Sequence, residues 1–232
     1  MIKLSDVHFK YANKIIFQNL SVEFKKDLFY CVLGPSGQGK STLLKMIAGY
    51  IQPQTGLVQA PKTCGFVLQG GSLFNHLKVG DNVSIQAGQQ QWTPEKINTR
   101  LDQLCELTRF PVDLLNQYPN ELSGGQKQRA AIMRALFMDP DLILLDEAFN
   151  GLDLILKVDL LNELKVIFKT LKKTVIMVTH DLIEARVFAD QVLILEKGDL
   201  VENSSCNDFF KSPQSDFGRK LIKAKEFGQN LL

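Results

Sequence analysis

No uninterrupted apolar run in this sequence approaches the roughly 18 residues that a membrane-spanning helix needs. The amino terminus, Met1-Ile-Lys-Leu-Ser5, lacks the long apolar region of a secretory signal. Cysteine is scarce: Cys31, Cys64, Cys105 and Cys206 are scattered, and none forms a Cys-x-x-Cys pair. With only three histidines beside them, this excludes the usual zinc frameworks and predicts reduced thiols in a cytosolic protein. An excess of one charge is also missing. The net charge of +2 provides no electrostatic basis for binding nucleic acid, and none is expected as a partner. Internal repeats are absent, and the one compositionally biased stretch is the short loop Gln89-Gln-Gln-Trp-Thr-Pro94. What is present is ordinary for a folded globular chain: 45% hydrophobic and 22% charged residues over 232 positions, enough for one large domain.

The hydrophobic pattern changes along the chain. Ile2-Lys-Leu-Ser-Asp-Val-His-Phe9 and Leu20-Ser-Val-Glu-Phe24 alternate polar and apolar residues, which predicts half-exposed strands of an antiparallel sheet. Leu28-Phe-Tyr-Cys-Val-Leu33 is continuously apolar and reads as a buried central strand. A glycine-rich turn follows, then helical periodicity from Ser41 to Tyr50. The buried-strand pattern returns at 142–145, 175–178 and 192–195, separated by helical stretches such as Leu154 to Leu171. Strands alternating with helices predict an α/β fold with a mostly parallel sheet, whose ligands bind at the carboxyl ends of the strands. Residues 80–135 carry mainly helical spacing and predict an inserted helical subdomain. The expected organisation is a single domain over 1–232. Residues 1–79 and 136–210 form its core, including an amino-terminal antiparallel β subdomain, and 211–232 form a basic helical tail.

Three contiguous motifs carry chemistry. Gly34, Pro35, Ser36, Gly37, Gln38, Gly39, Lys40 and Ser41 fit the pattern G-x-x-x-x-G-K-[ST], followed by Thr42. The stretch lies after a buried strand and opens a helix, the setting in which backbone N–H groups converge on phosphate oxygens. Lys40 is the candidate for the β- and γ-phosphates and Ser41 for Mg²⁺. Leu142-Ile-Leu-Leu145 ends in Asp146 and Glu147. The aspartate suits Mg²⁺, and the glutamate suits the general base that orients and deprotonates water. Leu122-Ser-Gly-Gly-Gln126 opens another helix. Ser123 and the N–H groups of Gly124 and Gly125 form a second anion site there.

The last motif makes a resemblance specific. A phosphate-binding loop, an intact LSGGQ and a strand ending in Asp-Glu, in that order, resemble the nucleotide-binding domain of the ATP-binding-cassette (ABC) transporter family. The resemblance runs from about Lys3 to about Gly198. It implies ATP as ligand with Mg²⁺, and ATP hydrolysis coupled to transport. It implies that Tyr11 stacks on adenine, that Gln69 contacts Mg²⁺ and the attacking water, and that His180 touches the γ-phosphate. Gln126 joins the signature side of the site, and Gly151-Leu-Asp153 corresponds to the loop that touches a partner subunit. Departures from the family pattern are Ala148 in place of proline, Gly151 in place of alanine, and Gly70-Gly71 where an acidic residue is frequent. The glycine pair would loosen the hinge next to the helical subdomain.

The resemblance also implies partners. Each ATP lies between the P-loop of one subunit and the LSGGQ of another, so a second copy or a homologous ATPase subunit is expected, packed head to tail. Transmembrane permease subunits and, for an importer, a substrate-binding protein complete the set. The chain would sit in the cytoplasm, held to the inner face of the membrane by the permease. A bacterial importer is the expected type. The alternatives are a non-transport ABC ATPase of the repair or translation type, or the energising subunit of an exporter.

Overall fold

The computed structural model describes residues 1–70 and 72–229. In chain order the elements are β1 (Ile2–Tyr11), β2 (Lys14–Phe24), β3 (Phe29–Leu33), α1 (Lys40–Ile47), β4 (Thr55–Gln59), β5 (Gly65–Val67), α2 (Val79–Ser84) and α3 (Pro94–Thr108). Then follow α4 (Gly124–Leu136), β6 (Leu142–Asp146), α5 (Leu154–Thr170), β7 (Thr174–Val178), α6 (Leu182–Phe188), β8 (Gln191–Glu196), β9 (Asp199–Ser205), α7 (Cys206–Lys211) and α8 (Asp216–Gln229). The chain divides into two compact units, Met1–Lys62 with Thr174–Leu232, and Thr63–Lys173.

The first unit holds two sheets. In one, β1 pairs antiparallel with β2 and with β4. Burial alternates along β1, as a sheet with one covered face requires. In the other, β3 runs parallel to β7 and to β8, and β9 returns antiparallel to β8. Every residue of β3 and β7 is buried, which is why both read as continuous apolar runs. The hairpin from β8 to β9 turns on Lys197 and Gly198, at φ 53° and 85°, the left-handed pair that a two-residue turn needs. The predicted helix from Ser41 to Tyr50 is shorter at its end. It stops at Ile47, capped by Ala48, because Gly49 takes φ 76° and breaks the periodicity.

The second unit pairs β5 with β6 in parallel and surrounds them with helices. Thr93 caps α3, with Pro94 at its first position. Gly65 of β5 lies so close to α4 that an added Cβ would sit 2.3 Å from the Ala135 carbonyl oxygen. Arg100 reaches from α3 to the end of α4. Its Nε donates to the Phe137 carbonyl at 2.9 Å and its Nη2 to the Leu136 carbonyl at 2.7 Å. A cation on these last carbonyls is worth about 0.3–1 kcal/mol, since they carry the negative end of the helix dipole. Arg129 of α4 binds Glu163 of α5 at 2.7 Å and donates to the Thr108 carbonyl at 2.7 Å, so one guanidinium joins α3, α4 and α5. Between 79 and 136 the regular elements are all helical.

Candidate functional site

In the first unit, β3 delivers the chain to Gly34, where it turns beside β8. An added Cβ at Gly34 would lie 2.1 Å from the Leu195 carbonyl oxygen, so only glycine fits. Gly37 and Gly39 take left-handed φ of 75° and 96°. Gly39 caps α1 against Ile16 and Phe17. The Gln38 side chain accepts from Lys197 N at 2.6 Å and anchors the loop to the β8–β9 turn. The Lys40 ammonium folds over the loop and donates to the Gly34 and Pro35 carbonyls at 2.9 and 2.8 Å. Ser36 is exposed, while Pro35, Ser41 and Thr42 are half-buried. Tyr11 is exposed at the end of β1, edge-on to Phe9 with ring centroids 4.8 Å apart. His180 is exposed just past β7. The turn around it is set by its neighbours: Thr179 Oγ1 accepts from Asp181 N at 3.0 Å, and Asp181 caps α6.

In the second unit, Asp146 ends β6 and is buried, at 7% exposure. Glu147 follows it with φ 47°. Two amides converge on Glu147 Oε2: Asn150 Nδ2 at 2.8 Å and Gln69 Nε2 at 3.5 Å. Two of the residues singled out in the sequence, Gln69 and Glu147, therefore meet although 78 positions separate them. The signature turn is a capping box. Ser123 Oγ accepts from Gln126 N at 3.3 Å, and Gln126 Oε1 accepts from Ser123 N at 2.8 Å. The Gln126 side chain is thus engaged in shaping the turn. Gly124 and Gly125 begin α4, and an added Cβ on Gly125 would lie 3.0 Å from Leu156 Cδ2 of α5. Neither α1 nor α4 carries an acidic residue in its first turn, which leaves the positive end of each helix dipole to other anions.

The model of the family described as ABC transporter matches residues 17–150, more than half of the sequence. The chain belongs to the ABC transporter family. It is an ATP-binding domain of that family, with the expected α/β fold, mostly parallel pairing in its central strands and a separate antiparallel sheet. The glycine betaine/carnitine/choline transport ATP-binding protein OpuCA of Bacillus subtilis is 35% identical over 96% of this chain. The chain spans only 62% of that relative's length. The glycine betaine uptake system ATP-binding protein YehX of Escherichia coli is 31% identical, over all of this chain and 80% of its own length. Among solved structures, the dimeric bacterial ABC transporter cassette MJ0796 superimposes with a TM-score of 0.78 at 30% identity, covering 89% of this chain and 99% of that one. The same cassette is known in a post-hydrolysis state bound to ADP and Pi, at TM-score 0.78 and 29% identity, with the same coverage.

One of the departures from the family pattern has a local explanation. Gly151 takes φ 83°, a conformation that alanine resists. Ala148 is buried, at 2% exposure. Gly70 takes φ 72°, and Gly71 lies outside the described residues. Two residues were not singled out in the sequence. Asn150 grips Glu147, and Ser72 links two regions: its hydroxyl donates to the Gln69 carbonyl at 3.2 Å, and its own carbonyl accepts from Arg134 of α4 at 2.9 Å. Asparagine three places after a turn glutamate was the available signal for the first. Nothing in the pattern around Ser72 pointed to the second.

Proposed function

We propose that this chain is the ATP-hydrolysing subunit of a membrane importer, splitting ATP to ADP and phosphate to drive a permease. One observation carries the reading beyond family membership: both α1 and α4 open on glycine turns with no acidic residue in the first turn. Such helix starts attract phosphate. One of them carries Lys40 and the other Ser123, as the two faces of a clamped nucleotide would require.

The roles then distribute as follows. The loop from Gly34 to Thr42 wraps the triphosphate, with Lys40 on the β- and γ-phosphates, and Tyr11 stacks on adenine. Ser41, Gln69 and Asp146 offer a hydroxyl, an amide and a carboxylate, oxygen donors of the kind that Mg²⁺ takes together with phosphates. No cluster of three or more His, Cys, Asp or Glu that could hold a metal ion occurs among the described residues. Magnesium would neutralise charge on the phosphates. Glu147 orients the attacking water and accepts its proton, and His180 meets the γ-phosphate. Ser123, with the N–H groups of Gly124 and Gly125, meets the nucleotide held by a second copy or a homologous subunit, and Gln126 keeps that turn in shape. Residues 80–135 serve as the helical subdomain of one ATPase domain.

No helix among the described residues is long and apolar enough to cross a membrane. In this reading the subunit is held to the inner face of the membrane by permease subunits, with a substrate-binding protein outside. The relatives include an uptake-system protein for glycine betaine and a sulfate/thiosulfate import protein, which favours import over export. The decisive variant is Glu147→Gln. It should keep ATP binding, lower turnover about 10²- to 10⁴-fold and accumulate as an ATP-bound dimer. Near wild-type turnover would remove Glu147 from its role.

A further inference from the structure

We infer that Asn150 is a positioning residue for the hydrolytic carboxylate: its side-chain amide holds Glu147 in the orientation that it presents to water. This rests on the assignment of Glu147 as general base. Glu147 stands just past the end of β6, outside any regular element, with a left-handed φ of 47°. A glutamate side chain in a turn has several torsions to settle. Asn150 spans the same turn twice. Its backbone N–H donates to the Glu147 carbonyl at 3.4 Å, and its Nδ2 donates to Glu147 Oε2 at 2.8 Å. The second donor, Gln69, reaches the same oxygen only at 3.5 Å, from an exposed position. Of these two donors, Asn150 holds the oxygen at the shorter distance. Holding one oxygen fixes the plane of the carboxylate and the direction from which it meets a proton.

The chemistry of the donor matters as much as its reach. An arginine or lysine at this point would also orient the carboxylate, but its charge would stabilise the anion and weaken it as a base. An amide is neutral and does not titrate. It orients Glu147 without placing a charge beside it. Misplacing a catalytic group by about 1 Å costs on the order of 10²-fold in rate.

The test uses the purified full chain over a range of concentrations, with kcat and KM for MgATP, binding of a non-hydrolysable ATP analogue, and thermal unfolding. Asn150→Ala should lower kcat roughly 10- to 100-fold, with analogue affinity and unfolding temperature kept. Asn150→Asp, nearly the same shape but a carboxylate facing a carboxylate, should fall at least as far. Asn150→Ser, which keeps a short donor, should recover part of the loss. In a Glu147→Gln background Asn150→Ala should add no further loss, because both act through one group. Asn150→Ala turnover within about twofold of wild type, in a chain that Glu147→Gln inactivates, overturns the inference. So does a parallel loss of analogue binding and unfolding temperature in all three Asn150 variants, the mark of a purely structural role. Full turnover in Glu147→Gln would instead overturn the general-base assignment itself.

Discussion

The two glycine turns of this chain look alike in sequence and are built differently. At the P-loop, glycine is required by backbone conformation and by close approach to other backbone. Gly37 and Gly39 sit at positive φ, and a Cβ on Gly34 would run into the Leu195 carbonyl. At the signature turn, Gly124 and Gly125 lie within α4, outside the positive-φ set, and their nearest neighbours are the side chains of Leu152 and Leu156. The first loop is shaped by strain that only glycine avoids. The second is shaped by the Ser123–Gln126 capping box, with glycine leaving room above a helix start. The chain also contains its own example of an anion held in this way. The Glu202 carboxylate accepts from Gln214 N at 3.0 Å, from Ser215 N at 2.9 Å and from the Ser215 hydroxyl, just before α8. Backbone N–H groups at a helix entry hold a carboxylate there, as the two glycine turns are proposed to hold phosphate.

The largest difference between the turns should come from Lys40, which has no counterpart at the signature. Lys40→Ala should lower ATP turnover by about 10²-fold or more, measured as phosphate release at saturating MgATP. Unchanged binding and turnover would break the distinction and the P-loop reading with it.

The next effect separates the two uses of glycine. Gly34→Ala should destabilise the chain by roughly 3 kcal/mol, combining backbone strain with a clash against a carbonyl that cannot yield. Gly125→Ala should stay within about 1 kcal/mol of wild type. The Leu156 methyl can shift, and alanine favours the helix. Chemical denaturation of both variants measures the contrast, and equal losses would erase it.

The smallest effect belongs to Glu202. Burial pushes its pKa up, but the hydrogen bonds from Ser215, Gln214 and Ser204 outweigh that and hold it below the ordinary glutamate value of 4.5. A group with a depressed folded-state pKa stabilises the fold above its unfolded value, and that stability is lost as pH falls through the folded one. Glu202→Gln should therefore cost about 1–2 kcal/mol near neutral pH. The deficit should shrink as pH drops below 4.5, the ordinary value. A deficit independent of pH would mean that the clamp works through packing and not through charge.

Much of the candidate site was legible because its chemistry is contiguous. Gly34 to Thr42, Ser123 to Gln126 and the pair Asp146–Glu147 each declare a local geometry that neighbouring residues enforce. The buried strands were legible for the same reason, since β3, β6 and β7 are continuous apolar runs. Other elements were not. β4 exposes most of its residues and β9 mixes both kinds, so neither carries a readable period. Both exist because β1 and β8 offer them ladders.

The sequence by itself determined the family, the order of the phosphate-binding and hydrolytic motifs, and the α/β alternation, because each is written in short runs whose side chains and backbone act on their immediate neighbours. Tertiary structure alone decided which groups share an atom. It brought Gln69 and Asn150 to one oxygen of Glu147, sent Arg100 to the end of α4, and closed Ser215 onto Glu202. The physical reason is reach. A hydrogen bond depends on a few tenths of an ångström between groups that lie 78 positions apart for Gln69 and Glu147 and 159 for Gln38 and Lys197, and no local pattern encodes that distance.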